Sequence, residues 1–226
     1  MQPPVPLPPS QIRQGGGPLR FDDDYFVDTA RTDVQLLTGV GLGSGMRLVD
    51  FGCGPGRIAI GLIISDWSGR YLGVEVKERH VRWASAEITS RYPDFQFVRV
   101  NAANARYNPS GSEPPRLPVD DGSADMICAF SVFSHMLSDD TTIYLREFRR
   151  ALAPDGSAFI TVFMADGVPD MTENPPWLGA SSGRLHRVLY STDFLSQLIR
   201  GSGLIIEDIL PEVPHRKQPG LLLRPL

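Results

Sequence analysis

The sequence predicts an α/β fold with a mostly parallel, doubly wound sheet. Three observations predict it. Short apolar segments alternate with segments of helical periodicity, a glycine-rich loop follows the first apolar segment, and no crossover helix fits between the last two. Strands joined by so short a connection must run antiparallel. The chain is therefore expected to end in an antiparallel strand added to a parallel sheet.

Seven segments have the length and apolar content of strands: 47–51, 71–75, 95–100, 124–130, 158–163, 204–210 and 221–223. Helices are predicted over 57–66, 78–91, 139–152 and 192–199, with a turn at 154–156 before the fifth strand. A further helix precedes the first strand, because Phe26, Ala30, Val34 and Leu37 recur at helical spacing. One domain over residues 21–226 follows from this pattern.

Two segments lack periodicity. Residues 1–20 contain six prolines and three consecutive glycines, a composition typical of a flexible tail. Residues 163–190 form a predicted loop directly after the fifth strand. Loops of this length in compact domains are usually functional, and ligands bind at this edge of such sheets. We therefore expect the 163–190 loop to cover the acceptor.

Composition excludes several classes of protein. The net charge of -4 argues against a dedicated nucleic-acid binder, which normally has a basic face. No apolar stretch is long enough to span a membrane, and the N-terminus lacks the layout of a secretory signal. The only cysteines, Cys53 and Cys128, do not indicate a disulfide framework. We expect a cytoplasmic protein, and the sequence leaves monomer and homodimer open.

The glycine-rich loop, Asp50-Phe51-Gly52-Cys53-Gly54-Pro55-Gly56, is the strongest local signal. Glycines let the backbone turn sharply and approach a bulky ligand. A dinucleotide-binding loop has Gly-x-Gly-x-x-Gly, but Arg57 stands where its third glycine belongs, and the Gly-Lys-Ser/Thr ending of a P-loop is absent. A carboxylate at Asp50 would repel a pyrophosphate and attract an ammonium or sulfonium group. The loop therefore favours S-adenosylmethionine over NAD.

Glu75 adds a second signal at the end of the second predicted strand. A carboxylate about twenty residues beyond such a loop accepts hydrogen bonds from ribose hydroxyls. His80, a few residues later, is expected at the surface. The loop and Glu75 together indicate a nucleoside cofactor.

Residues 49–57 resemble the first motif of class I S-adenosylmethionine-dependent methyltransferases. Residues 73–76, 117–125 and 145–156 are similar to their ribose-binding strand end, fourth-strand entry and fifth-strand entry. The resemblance implies a Rossmann-like, seven-stranded sheet, S-adenosylmethionine as cofactor and methyl transfer as activity. The implied cofactor contacts are Asp50, Gly52, Cys53, Gly54, Gly56, Arg57, Glu75, Val76, Asn101, Ala102 and Ser131.

Two further likenesses concern specificity. Residues 104–111 and 131–137 resemble a bacterial small-molecule branch whose members often act on saccharides or glycosylated lipids. The resemblance implies a saccharide acceptor. The superfamily usually ends its third strand in Asp, which bonds the adenine amino group, whereas this chain has Asn101. Asparagine can still accept that bond through its carbonyl.

His135 is the candidate catalytic base. Methyl transfer to a hydroxyl requires alignment of the acceptor and removal of its proton. His135 lies four residues after Ser131, in the loop that follows the fourth strand. Imidazole, with an ordinary pKa near ~6.5, suits proton removal at neutral pH. The alternative is a histidine that packs beneath the long loop and bonds to backbone.

Other polar and aromatic residues have two interpretations each. Tyr25 and Trp177 are predicted to contact the acceptor, with core packing as the alternative for Tyr25, and His186 in the loop is a further candidate contact. Asp139 and Asp140 could assist a divalent ion. They are better explained as the acidic first turn of a helix capped by Ser138, so no metal site is implied.

The leading hypothesis is O-methyl transfer to a small molecule, preferably a sugar hydroxyl. N-methyl transfer to an amino sugar or small amine is the nearest alternative, because an amine needs less help from a base. A non-catalytic S-adenosylmethionine-binding protein is the alternative from another class, and an NAD-dependent oxidoreductase is disfavoured by Asp50 and the glycine spacing.

Overall fold

The computed structural model describes residues 5–13, 18–103, 110–112, 115–178 and 187–226. The chain divides into two compact units, Met1–Arg99 and Val100–Leu226. The first unit contains helices α1 (Pro18–Phe21), α2 (Asp23–Gly39), α3 (Arg57–Ile64) and α4 (Glu78–Ala84), and strands β1 (Arg47–Phe51), β2 (Arg70–Glu75) and β3 (Phe95–Arg99).

Helix α2 forms where the apolar spacing predicted it. Its N-cap residue, Asp22, accepts a hydrogen bond from the Tyr25 amide at 3.0 Å, which satisfies one of the donors left over at a helix start. Its apolar face packs closely against α3. A Cβ on Gly61 of α3 would lie 2.5 Å from the Ala30 carbonyl oxygen, so only glycine allows this separation.

Strands β1, β2 and β3 are parallel neighbours in the first unit. Helix α4 continues as a π-helical turn over Ser85–Thr89, so the helix predicted over 78–91 changes its winding halfway. The rings of Tyr71 on β2 and Phe95 on β3 stack with centroids 5.4 Å apart. Aromatic pairs of this kind contribute more than their buried area alone.

The second unit contains the remaining elements. They are β4 (Ala124–Ala129), α5 (Ser138–Ala151), β5 (Leu152–Thr161), β6 (Phe163–Ala165), β7 (Met171–Glu173), β8 (Val188–Ser191), α6 (Thr192–Gly201), β9 (Leu204–Leu210) and β10 (Gly220–Pro225). Strands β4 and β5 are parallel, and β10 runs antiparallel to both β5 and β9.

One seven-stranded sheet has the order β3-β2-β1-β4-β5-β10-β9. The predicted α/β fold, mostly parallel with an antiparallel C-terminal strand, is confirmed. Strand β10 is inserted between β5 and β9 because its buried residues, Leu221–Leu223, are apolar on both faces of the sheet. None of the described helices combines the length and the apolar content needed to cross a bilayer.

The predicted turn at 154–156 is an irregularity inside β5. Leu152 pairs with Ala124 and Ser157 pairs with Met126, so β5 contributes more residues than β4 between these two positions. The extra residues bulge from the ladder. A Cβ on Gly156 would lie 2.9 Å from the Ala124 carbonyl oxygen, so the bulge needs glycine for close approach.

The 163–190 segment contains strands that the sequence did not predict. A three-stranded sheet forms there in the order β6-β8-β7, and every residue of β8 is buried. Strands of three or four residues are too short to show an alternating pattern. Residues 179–186, including His186, lie outside the described part of the chain.

Part of the proline-rich N-terminal segment contacts the start of α2. Arg13 is 7% exposed, its guanidinium lies 4.8 Å above the Phe26 ring, and it forms an ion pair with Asp23. Arg20, in α1, donates from Nε to the Ser10 carbonyl at 3.0 Å. These contacts concern residues 5–13 and 18–20; residues 1–4 and 14–17 lie outside the described ranges.

Arg150, at the end of α5, holds the segment that leads into β4. Its guanidinium donates to the carbonyl oxygens of Leu117 and Val119, at 3.0 and 2.9 Å, and to the Glu147 carboxylate at 2.8 Å. Glu147 accepts a further bond from the Leu117 amide at 2.9 Å. Arginine presents five donors in a rigid fork, whereas lysine has three on one nitrogen. Lysine therefore cannot reproduce these contacts.

We expect Arg150→Lys to lower the free energy of unfolding by about 2 kcal/mol. The physical reason is the loss of hydrogen bonds to and from charged groups at a half-buried position. Urea denaturation of the purified chain measures the change. Arg146→Lys, an exposed position on the same helix, is the control and should change stability by less than about 0.5 kcal/mol. Equal effects of the two variants would contradict the assigned role of Arg150.

Candidate active site

The glycine-rich loop turns through backbone conformations that favour glycine. Gly52, Gly54 and Gly56 have φ values of 80°, 55° and 89°, in the left-handed region. The amides of Gly52 and Cys53 both donate to the Val74 carbonyl, at 2.8 and 3.2 Å. A Cβ on Gly56 would lie 2.9 Å from the Ile88 side chain. The loop is therefore anchored to the end of β2 and leads directly into α3.

Asp50 lies at the end of β1 and is 2% exposed. The Tyr71 hydroxyl, on β2, donates to its Oδ2 atom at 2.6 Å. A buried carboxylate is costly without such a donor. The sequence analysis missed Tyr71, although strand alternation carries a signal for it. Gly73 pairs with Asp50 across the ladder, and Tyr71, two residues earlier, is on the same face.

Cys53 is a buried neutral thiol. Burial raises its pKa well above the ordinary value, and the nearby carboxylates Asp50 and Glu75 raise it further. Gly73 leaves room for its sulfur, since a Cβ there would lie 2.8 Å from Cys53 Sγ. Cys128 is also buried, and it is a thiol rather than half of a disulfide. A thiol that stays protonated is a poor nucleophile. The predicted cofactor contact of Cys53 stays a prediction.

Glu75, at the end of β2, is held by three donors. Its Oε1 atom accepts from the amides of Val76 and Lys77, at 2.8 and 3.0 Å, and Oε2 lies 3.3 Å from His80 Nδ1. The expectation that His80 is at the surface is wrong, because the first turn of α4 directs it inward and it is fully buried. Burial alone would raise the pKa of Glu75. The bonds from His80 and from the Lys77 amide outweigh burial, and the pKa of Glu75 is lowered.

Arg57, predicted as a cofactor contact, forms an ion pair with Asp33 of α2. Asp33 is 1% exposed, and a buried carboxylate of this kind needs a charged partner. The described contact of Arg57 is thus within the protein and joins α3 to α2. This pairing could not be predicted from the sequence, because Asp33 is distant from Arg57 along the chain.

The end of β1, the loop and the end of β2 fit a cationic nucleoside. Two buried carboxylates, Asp50 and Glu75, lie at the carboxyl ends of neighbouring strands, and the glycines of the loop that follows β1 adopt left-handed backbone conformations. Such an edge favours positive charge and hydroxyl donors. It disfavours a pyrophosphate.

Asn101 and Ala102 begin the second unit. The Asn101 carbonyl accepts from the Ser112 amide at 2.9 Å, and its side-chain amide lies 3.5 Å from Ser112 Oγ. Ala102 is 1% exposed. Of the 104–111 segment, residues 104–109 lie outside the described ranges. The predicted adenine contact of Asn101 therefore remains a prediction.

Ser131 follows β4 with a φ of 56°, a strained conformation for a residue other than glycine. Its amide donates to Thr161 Oγ1 at 2.7 Å, and its hydroxyl donates to Gln218 Oε1 at 3.3 Å. Gln218 is 5% exposed. Strained backbone with buried polar partners is common at functional sites. Gln218 could not be predicted from the sequence, because its contact with Ser131 depends on the return of the chain into β10.

His135 ends a short 3₁₀ helix, Phe133–His135, and is half-buried. The next residue, Met136, offers its carbonyl to the Tyr190 hydroxyl at 2.7 Å. Thr141 Oγ1 lies 3.0 Å from the same hydroxyl. Burial raises the pKa of Tyr190 to about 12, so the phenol remains a donor at neutral pH. Strand β8, missed by the sequence analysis, thereby fixes the backbone that follows His135.

Asp139 and Asp140 lie in the first turn of α5. The helix begins at Ser138 itself and its N-cap is Leu137, without a side-chain cap, so the expected Ser138 cap is wrong by one residue. Their negative charge still suits the positive end of the helix dipole. Across the described ranges, no group of three potential metal ligands comes together.

The two predicted aromatic contacts differ in environment. Tyr25 is half-buried in the first turn of α2, where its amide bonds to the cap residue Asp22. Trp177 is 66% exposed in a short 3₁₀ helix, Pro176–Leu178. Tyr25 belongs to the first unit and Trp177 to the second. The predicted contact of each residue with the acceptor stays a prediction.

Comparisons with known proteins agree with this fold. A family model described as a methyltransferase domain matches residues 27–208. The chain therefore belongs to the methyltransferase-domain family. A curated relative, the methyltransferase GfsG of Streptomyces halstedii, is 26% identical over 189 residues, which cover 84% of this chain and 63% of the relative. This chain thus spans under two thirds of that relative's length.

Two solved structures share the fold. An S-adenosylmethionine-dependent methyltransferase from Mesorhizobium loti has a TM-score of 0.62 at 17% identity, with 88% of this chain and 99% of the other covered. The 1,6-didemethyltoxoflavin-N1-methyltransferase of Burkholderia thailandensis has a TM-score of 0.61 at 19% identity, with 90% and 79% covered. The predicted methyltransferase class and its Rossmann-like sheet are confirmed. These comparisons do not confirm the resemblance to a branch that acts on saccharides.

We expect Tyr71→Phe to lower the free energy of unfolding by about 2 kcal/mol. The change removes the hydroxyl that donates to Asp50 and leaves a buried carboxylate with one donor fewer. Urea denaturation at neutral pH measures the loss.

Tyr92→Phe is the matched control for this variant. Its ring also contacts Phe95, with centroids 6.3 Å apart, and its buried hydroxyl has no hydrogen-bond partner in the described structure. Removing that hydroxyl should leave stability unchanged or slightly raised. Equal losses of unfolding free energy in the two variants would contradict a stabilising role for the hydrogen bond from Tyr71 to Asp50.

Proposed function

We propose that the chain is an S-adenosylmethionine-dependent O-methyltransferase that acts on a hydroxyl of a small molecule, preferably a saccharide. The observation that carries the proposal is the pair of buried carboxylates, Asp50 and Glu75, on either side of a glycine loop. This arrangement suits a cofactor with a positive charge and a ribose. It does not suit a dinucleotide.

When bound, S-adenosylmethionine supplies a methyl group activated by its sulfonium. Asp50 attracts the positively charged end of the cofactor, and Glu75 accepts hydrogen bonds from the ribose hydroxyls. The loop from Gly52 to Gly56 allows close approach of the backbone. Asn101 accepts from the adenine amino group through its side-chain carbonyl. The solved relatives named above support this choice of cofactor, since one is named for it and the other contains its demethylated product.

His135 is proposed to take the proton from the acceptor hydroxyl as the oxygen attacks. A neutral imidazole can do so near pH 7. The Tyr190 and Thr141 bonds at the following turn support the proposal, because a base must be held in position to act. Ser131, in its strained conformation at the end of β4, is proposed to contact the cofactor.

The segment 163–190 is proposed to cover the acceptor. Its short strands anchor it to the second unit, and Trp177 is exposed on it. An exposed aromatic ring can stack on the apolar face of a sugar, which supports the preference for a saccharide.

N-methyl transfer to an amino sugar or small amine is the second candidate. The observation that favours it is the likeness to the Burkholderia thailandensis enzyme, which is named an N1-methyltransferase. An amine with a free lone pair needs little from a base. The two candidates therefore differ in their dependence on His135.

We expect His135→Asn to lower kcat with a hydroxyl acceptor roughly 10²–10⁴-fold, because the proton then has no base to accept it. The measurement is incorporation of labelled methyl groups into saccharide extracts and into the purified acceptor found there. The dissociation constant of S-adenosylhomocysteine should stay within a factor of about three, since the proposed cofactor contacts are intact.

His215→Asn, an exposed histidine in the same unit, is the control and should retain full activity. Incorporation into amines alone, with His135→Asn as active as the unaltered chain, would overturn the hydroxyl proposal in favour of nitrogen. Tight cofactor binding without turnover on any acceptor would favour a non-catalytic binding protein.

A further inference from the structure

His80 is a polar residue at a position that is entirely enclosed. It lies in the first helical turn of α4, five residues after Glu75, and is 0% exposed. Its Nδ1 atom lies 3.3 Å from Glu75 Oε2. Most of the other fully buried side chains in this unit are apolar, among them Leu48, Ile60 and Ile88. Burying an imidazole there is costly unless the ring forms hydrogen bonds.

The chemistry of the pair fixes which atom donates. An ionised carboxylate can only accept hydrogen bonds, so Nδ1 must carry the proton that lies between the two groups. The lowered pKa of Glu75 agrees with an ionised carboxylate despite its burial. Hydrogen bonds to a charged acceptor are stronger and more directional than neutral ones. His80 therefore fixes the Oε2 side of the carboxylate.

The other oxygen accepts from two backbone amides. Oε1 accepts from the amides of Val76 and Lys77, which precede α4. With backbone donors on one oxygen and His80 on the other, rotation of the carboxylate about its last bond is opposed on both sides. Of these three contacts, the one with His80 comes from a side chain. It is therefore the contact that substitution can remove.

We propose that His80 is a positioning residue for cofactor recognition, which holds the Glu75 carboxylate in the orientation that receives the ribose hydroxyls. This inference rests on the proposed use of S-adenosylmethionine. It adds a residue that the glycine-loop and strand-end motifs do not include. An ordinary space-filling role predicts that an apolar side chain of similar size would serve equally well.

The test compares two ligands on the full chain. S-adenosylhomocysteine carries both ribose hydroxyls, and its 2′,3′-dideoxy analogue carries neither. His80→Met removes the donor and keeps a similar volume. We expect it to weaken S-adenosylhomocysteine about tenfold, the equivalent of one charged hydrogen bond, and to leave the dideoxy analogue within twofold. Isothermal titration measures all four dissociation constants.

Two further variants separate positioning from packing. His80→Asn places its amide nitrogen as many bonds from the backbone as Nδ1, so it should restore at least half of the lost affinity. Ile63→Val, at a buried apolar position in the last turn of α3, should lower the urea midpoint of unfolding and change neither ligand's affinity. In methyl-transfer assays, His80→Met should raise KM for S-adenosylmethionine with kcat unchanged at saturation.

Equal weakening of both ligands by His80→Met, or no weakening of either, overturns the inference. If His80→Met does not fold, His80→Leu and His80→Asn provide the same comparison, and equal ligand ratios in these two variants overturn it as well. Failure of the unaltered chain to bind S-adenosylhomocysteine would instead reject the proposed function. Equal binding of the two ligands by the unaltered chain would reject the role of Glu75 and, with it, that of His80.

Discussion

Burial of two carboxylates at the ends of neighbouring parallel strands is the constraint on which the first unit depends. Asp50 and Glu75 are 2% and 5% exposed, and each would be strongly destabilising without donors. Tyr71 supplies a donor to Asp50, while His80 and two backbone amides supply Glu75. The conformation of the glycine loop depends on the same strand ends, because the amides of Gly52 and Cys53, directly after β1, donate to the Val74 carbonyl of β2.

In the second unit, hydrogen bonds hold the loop that contains His135 in position. The backbone after His135 is fixed by Tyr190 of β8 and Thr141 of α5, both fully buried. Strand β8 belongs to the segment that is proposed to cover the acceptor. Hydrogen bonds therefore connect the turn that follows the proposed base to the segment proposed to cover the acceptor. A substitution in one should alter the position of the other.

Sequence periodicity predicted six of the seven strands of the main sheet to within two residues, because each is a contiguous apolar segment with clear ends. The fifth strand begins at Leu152, six residues before its predicted start, because the bulge at 154–156 has the composition of a turn. It missed β6, β7 and β8, since three or four residues show no period. Asp50 and Glu75 were predicted from spacing alone. The partner of Asp50 was not predicted, because Tyr71 lies 21 residues away along the chain. The pairing of Arg57 with Asp33 was missed for the same reason. His80 was misassigned to the surface because sequence alone does not say which way the first turn of a helix faces.

This carboxylate-lined glycine loop is proposed to bind S-adenosylmethionine rather than a dinucleotide. Isothermal titration of the full chain with S-adenosylhomocysteine and, separately, with NAD distinguishes the two cofactors. We expect saturable binding of a single S-adenosylhomocysteine per chain and no heat of binding with NAD. Saturable binding of NAD without binding of S-adenosylhomocysteine would contradict it.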